Sequence, residues 1–471
     1  MARTRELLEG LRQAAGLPAE AAERVFIEGG DPVLRTPLRV GETGAAAIAA
    51  SGMASAWLWF LAHGERQRVD VNAAAAAAAM QSYKFLRIAG QPPGAVMDRL
   101  TGSYRVAGGR YVYLHCNFPN LARRNCEALG AEATPESLAA RAAQWRGPEL
   151  EEALFANGGC GAFVRDALEW HDLPQGRAAR AAPVLEITRI GDAPAEPLAP
   201  GARPLSGVRV LDLTRVLAGP TCARNLAEHG ADVLRISRAD LADSGVLDFD
   251  TGVGKRSAHL DLRESADAER MRELVRGADV FSQAYRPGAL ESLGFGPEQA
   301  AALRPGIVYV TLNAWGFEGP WRARRGYDTV VQAANGFAWT GPDSAPMFTP
   351  VAQQDYVAGY LMAFGAMAAL ARRATVGGSW HVRVSLAACG EWVRAQGTVD
   401  AAAIAARPLQ VPPERVAPWL VQSGSPAGVI TQLGPVTRMS ITPPRWDRPV
   451  PAAGADLPRW ASRPRSTPPG P

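Results

Sequence analysis

Residues 208–237 read VRVLDLTRVLAGPTCARNLAEHGADVLRIS. Val208–Leu213 is a short apolar run of strand length. Gly219-Pro220 then opens a helix that runs to about His229, with Gly230 placed to cap it. Ala231–Ser237 is a second apolar run. The same grammar continues downstream. A helix is expected in ESADAERMRELVRG from Glu264, then strands in ADVFSQA from Ala278 and in GIVYVTLN from Gly306. A long helix follows from about Tyr356 to Arg373, then an alternating strand from His381 to Leu386. Strands alternating with helices predict an α/β fold, a Rossmann-like parallel sheet with helices on both faces.

Upstream the composition changes. DAPAEPLAPGARP (Asp192–Pro204) is rich in Pro and Ala and reads as a linker. Before it, Thr43–Leu61 is helical and RVDVNA is strand-like. GSYRVAGGRYVYLHCN places a Gly-Gly turn between two strand-like runs, a hairpin signal. Helices rich in Ala, Glu and Arg are expected from Thr134 to about Trp170. At the other end, Arg445–Pro471 is rich in Pro, and its last ten residues are expected to be disordered. The expected units are therefore an α+β region (1–191), the linker (192–204), the Rossmann-like domain (205–443) and a Pro-rich tail (444–471).

The two halves echo each other. With Gly52 placed over Gly365, Ala45 meets Ala358, Ala56 meets Ala369 and Gly64 meets Gly377 without a gap. Val69 and Val71 then meet Val382 and Val384. Many of the identities are alanines, so chance similarity of Ala-rich helices competes with duplication. The V-x-V pair at a fixed distance favours duplication.

Bulk properties narrow the function. A chain of 471 residues has room for two to four domains. A net charge of +4 is too small to imply a nucleic-acid partner. Five scattered cysteines (116, 126, 160, 222 and 389) form no CxxC pair, which suits a reducing compartment and a cytoplasmic location. The first 25 residues mix acids and bases and carry no signal-type apolar core. Gly44–Leu61 has about the length of a membrane span, but its apolarity is mostly alanine, so a buried helix and no membrane partner are expected.

Several chemistries lose their signature. The first strand–turn–helix carries a single glycine, Gly219, where a dinucleotide fold carries GxGxxG. GxxxxGK[ST], HExxH and GxSxG are absent, as is any Cys/His cluster, so no metal and no tightly bound cofactor are expected.

Read in order, PLSGVRVLDLTRVLAGP (Pro204–Pro220), GADVLRI, GKRSAHLDL (Gly254–Leu262), ADVFSQAYRPGALESLGF, WGFEGP, GYDTVVQAANG (Gly326–Gly336) and QDYVAG (Gln354–Gly359) resemble the family III CoA-transferases, the CaiB/BaiF type. The resemblance covers about residues 200–390 and implies that family's fold. It implies CoA transfer from an acyl-CoA to a carboxylic acid, through an aspartyl anhydride and an aspartyl-CoA thioester. Asp355 falls at the nucleophile's place, although a helix-start aspartate also reads as a simple cap. CoA contacts are implied at Val216, Leu217, Ala218, Arg238, Leu260, Arg263 and Arg325, while Ser237 stands where the family has an acid. Each arginine also reads as a solvated surface charge. Tyr327 stands where related 2-methylacyl-CoA racemases carry histidine, and a phenol is a poor base near neutral pH. Racemisation or epimerisation is therefore the alternative activity.

The family's small domain after the V-x-V strand is missing here, and residues 101–180 look like a displaced one. That departure allows a non-catalytic CoA-binding subunit as a third reading. It also suggests an internal pseudo-dimer in place of the family's interlocked homodimer. Glu42 aligns with Asp355, as a second nucleophile or as a helix-start acid. Trp315, Trp321 and Trp339 suit an apolar acyl group or a core.

Overall fold

The computed structural model describes residues 2–241 and 244–461. Seven strands form the main sheet: β1 (Glu186–Gly191), β2 (Arg209–Leu213), β3 (Asp232–Ser237), β4 (Lys255–His259), β5 (Val280–Gln283), β6 (Val308–Asn313) and β7 (Ser379–Ser385). Their order across the sheet is β4-β3-β2-β5-β6-β7-β1. Every neighbouring pair is parallel except β7 and β1, which run antiparallel.

Alternation along the strands explains the two layers. Val210, Val233, Val280 and Val308 face one way, into the core built with helices α2 (Ala218–Glu228) and α4 (Gln353–Val376). Leu211, Leu234, Phe281 and Tyr309 face the other way, onto Ser265–Arg276 and Pro297–Leu303. Helix α4 packs closely on α2. A Cβ at Gly359 would lie 2.5 Å from the Ala218 carbonyl oxygen, so no larger residue fits that crossing.

The N-terminal half repeats the second part of this domain. Helix α1 (Val40–His63) packs along α4. It is long and apolar enough to cross a membrane by composition, and most of it is buried inside the fold. Strand Val69–Asn72 follows α1 as β7 follows α4. Gly52 and Gly365 both sit where a Cβ would strike a valine Cγ1, of Val69 at 2.8 Å and of Val382 at 2.5 Å. Asn72 caps the next helix by accepting from Ala74 and Ala75, and Ser385 caps its counterpart by accepting from Ala388. These pairs are the positions matched by the sequence echo. The seam between the copies is polar in places. The Gln353 amide donates to the Thr43 hydroxyl (2.8 Å), and the Ser51 hydroxyl donates to Asn225 Oδ1.

The structure differs from the sequence reading at four points. β1 lies before the linker in sequence yet forms the edge of the main sheet, so residues 186–191 belong to that layer. Its half-exposed EITRIG sequence, with Arg189 open to solvent, suits an antiparallel edge and not a buried parallel strand. A short strand, Gly161–Phe163, interrupts the expected helices and joins the hairpin Gly102–Arg105/Tyr111–Leu114. The segment 418–440 forms a hairpin and a short strand that pair with Arg87–Ile88 and Val69–Asn72, so it returns to the first copy's sheets. Finally, residues 444–461 pack on the fold. Val450 is buried, and the Trp446 and Trp460 indoles donate to the Arg224 and Leu274 carbonyls. The last ten residues, expected to be disordered, lie outside the described residues.

Candidate active site

The strand order reverses between β2 and β5, and a crevice opens there beyond their carboxyl ends. The loop after β2 supplies Arg215, Val216, Leu217 and Ala218; the loop after β5 supplies Ala284, Tyr285 and Arg286. A cleft of about 500 Å³ runs from these loops to Asp355. Of the residues singled out in the sequence, Val216, Leu217, Ala218, Arg238, Arg325, Tyr327 and Asp355 line it together. Leu260 and Arg263 line an adjoining hollow of about 180 Å³ that shares Leu213, Arg238, Leu241, Tyr285 and Ala289 with the main cleft. All nine predicted positions thus fall along one continuous groove.

Buried ion pairing fixes the β2 loop. The Lys255 ammonium donates to Asp212 Oδ2 (2.8 Å) and to the Pro220 carbonyl (3.0 Å), while Asp212 Oδ1 accepts from the Thr214 amide (3.0 Å). Val216 adopts φ 73°, a left-handed conformation costly for a β-branched residue, and it does so at the cleft wall.

Asp355 occupies the first turn of α4 and is 8% exposed. The free amides of that turn are taken by Asp328, whose Oδ2 accepts from Gln354 N (2.9 Å) and Asp355 N (3.0 Å). The Gln332 amide donates to its other oxygen. Burial pushes the Asp328 carboxyl up to about 6 even so. Asp355 is raised well above the ordinary carboxylate range, by burial first and by the Asp328 charge second.

Cations are present. Arg215, Arg238, Arg286, Arg324 and Arg325 line the cleft, and Asp355 is the one carboxylate among the described lining residues. Arg325 is held by the Gly158 carbonyl, and its pKa is lowered by burial and by the neighbouring Arg286 and Arg124 charges. Arg238 and Arg263 are partly exposed and pair with Asp240 and Asp261. Exposed pairs of this kind are weak enough to open for phosphate.

Tyr327 precedes helix α3 (Asp328–Ala334), and burial raises its phenol, so it stays protonated as a hydrogen-bond donor. It stacks on His115 (centroids 4.0 Å apart) and on Phe118 (5.9 Å), both from the N-terminal half. Phe118, Asn120 and Leu121 also line the cleft, so the first copy closes the second copy's site. Glu42 keeps the geometry of its counterpart but not the setting. Asp31 accepts from Gly41 N (3.1 Å) and Glu42 N (2.9 Å), as Asp328 does for Asp355. The Glu42 carboxylate, however, faces Arg39 at 3.4 Å and Arg3 at 3.8 Å. Trp315 and Trp321 pack with Trp170 in a buried cluster, and Trp339 lies under Arg110. None of the three lines the Asp355 cleft.

The family model described as CoA-transferase family III matches residues 14–195 and again 205–415. The chain belongs to CoA-transferase family III. Among curated relatives, the chain is 38% identical over 218 residues to an acetyl-coenzyme A transferase, nodX, of Hypoxylon pulicicidum, covering 44% of this chain and 37% of that one. It is 35% identical over 190 residues to the succinyl-CoA:glutarate CoA-transferase of Mus musculus, covering 37% and 43%. The crystal structure of Rv3272 from M. tuberculosis is similar with 31% identity and a TM-score of 0.39, over 41% of this chain and 57% of that one. The chain spans about half or less of the length of the curated relatives it matches.

Asp328, Arg215, Arg286 and Phe118 belong to the site without having been singled out in the sequence. Arg215, Arg286 and Asp328 lie inside the quoted PLSGVRVLDLTRVLAGP, ADVFSQAYRPGALESLGF and GYDTVVQAANG segments, which is the one signal the sequence carries for them. Phe118 carried none.

Proposed function

We propose that this chain transfers CoA from an acyl-CoA to a carboxylic acid, with Asp355 as nucleophile. The observation that carries the reading is a buried carboxylate in a helix's first turn, in a switch-point cleft that five arginines also line. An Asp355 oxygen attacks the thioester carbonyl; the C–S bond breaks, giving a mixed anhydride and CoA thiolate. The thiolate attacks the aspartyl carbonyl, releases the donor acid and leaves an aspartyl-CoA thioester. The acceptor carboxylate attacks that thioester and again frees the thiolate. Finally, the thiolate takes the acceptor's acyl carbon and regenerates Asp355. The thioester's free energy is conserved throughout, so the cycle balances without ATP. The Tyr327 hydroxyl suits donation to the oxyanion of each addition.

Racemisation has less support. Its base position carries a phenol raised by burial, and among the described residues the cleft lining contains no histidine. A purely binding subunit is also disfavoured, because the first copy supplies Phe118, Asn120 and Leu121 where the small domain is missing. We read the molecule as an internal pseudo-dimer with one site. Five buried, free cysteines suit a reducing cytoplasm.

The test is to incubate the protein with acyl-CoA and hydroxylamine and to map the modified peptide. Hydroxamate at residue 355, and loss of transfer in Asp355→Ala, are expected. Modification elsewhere, or full activity in that variant, refutes the reading. Deuterium wash-in at the α-carbon without an acceptor acid would support the racemase instead.

A further inference from the structure

We propose that Phe118 is the wall that sets acyl-chain length, and that the donors it admits are short aliphatic acyl-CoA thioesters. The inference rests on the transferase reading above.

The catalytic end of the cleft is apolar. Phe118, Leu121, Leu217, Leu312 and Leu386 line the cleft together with Asp355. A space of about 500 Å³ must also seat much of the CoA carrier, so little of it remains for the acyl group. Short chains fit this balance, and apolar ones match the lining.

Phe118 closes that end and cannot swing away. It is 7% exposed. Its backbone is fixed as the residue before helix Pro119–Leu129, with its carbonyl accepting from Leu121 N (2.8 Å) and Ala122 N (3.0 Å). The ring is clasped between the Arg215 guanidinium, 5.1 Å from its centroid, and the Tyr327 ring. His115 stacks on Tyr327 and also lies beside the Phe118 ring, 6.4 Å away between centroids. The clasp joins the two copies: Phe118 and His115 come from the first, Arg215 and Tyr327 from the second. A wall held by cation–π and stacking contacts discriminates length because it does not yield. One methylene in such a pocket is worth about 10–200-fold in kcat/KM.

The experiment measures kcat/KM for acetyl-, butyryl-, hexanoyl- and octanoyl-CoA with one acceptor acid. Wild type is expected to fall at least about tenfold from butyryl to octanoyl. Phe118→Ala should abolish or reverse that fall, and Phe118→Trp should steepen it. Phe118→Leu, a milder change, should move the profile in the same direction as alanine if the alanine variant does not fold. An equal proportional loss for all four donors, or an unmoved profile, overturns the proposal. Absence of both transfer and Asp355 acylation in wild type would overturn the transferase reading itself, and this proposal with it.

Discussion

Glu228 sits on the seam between the copies, in the last turn of α2, and it is fully enclosed. Its Oε1 accepts from the Asn225 amide (2.7 Å), whose oxygen in turn accepts from Ser51 of helix α1. Burial lifts the carboxyl from 4.5 to about 8, against the opposing pull of Arg224. A raised acid is stabilising in its protonated form. Its contribution is complete below pH 4.5 and is lost as pH climbs towards 8. Each pH unit between those values costs about 1.4 kcal/mol. From pH 5.5 to 8.5 the loss comes to about 3 kcal/mol. Glu228→Gln is nearly isosteric and keeps an acceptor for Asn225, but it has no proton to lose. The variant's margin over wild type should therefore widen by about 3 kcal/mol between pH 5.5 and pH 8.5. For a chain of 471 residues that is about 3 °C in Tm. Thermal melts of both proteins at pH 5.5, 7.0 and 8.5 test this directly. Parallel pH profiles, or a wild type that gains on the variant as pH rises, would refute the assignment of a buried, protonated Glu228.

Asp355 must be ionised to attack, and its pKa is raised, so kcat/KM for the acyl-CoA should rise with pH. In Asp328→Asn the neighbouring charge is gone, so the rising limb should move to lower pH; an unmoved limb argues against coupling of the two carboxyls. Gly365→Ala and Gly52→Ala each drive a methyl into a valine, at 2.5 and 2.8 Å, and urea titration should show each losing about 1–3 kcal/mol. A neutral result at either position would mean that the copies do not share this contact. Glu42→Gln should leave the turnover number unchanged, and acylation should saturate at one per chain. Loss of half the activity would reveal a second working site.

The parallel sheet was legible because its strands are buried on both faces and read as continuous apolar runs. VRVLDL and GIVYVTLN carry that signal without help from distant residues. The edge strand Glu186–Gly191 did not, since its partner lies almost two hundred residues downstream and its exposed face is charged. Asp355 was legible by its place in an ordered series of segments. Its chemical setting was not. The cap from Asp328 spans 27 residues through a side chain, and no local pattern encodes it. Phe118 belongs to the same class of omission. Its role depends on the first copy folding over the second, a long-range event that periodicity does not record.

That folding over explains why two incomplete copies make one site. The first copy has the helix, the V-x-V strand and the hairpin region of 101–180, but the strand loops that line the groove all belong to the second. The second has those loops and lacks the hairpin region. At the two helix starts the same aspartate cap is kept, Asp31 for α1 and Asp328 for α4. A cap contributes to helix stability in both places, so its retention follows from folding alone. The acids beside the caps have diverged. Asp355 faces a groove lined by five arginines and awaits an anionic ligand. Glu42 is already paired with Arg39 and Arg3. A carboxylate whose charge is satisfied internally has little drive to attack a thioester. On the proposed mechanism, the duplicated helix start serves packing in the first copy and chemistry in the second.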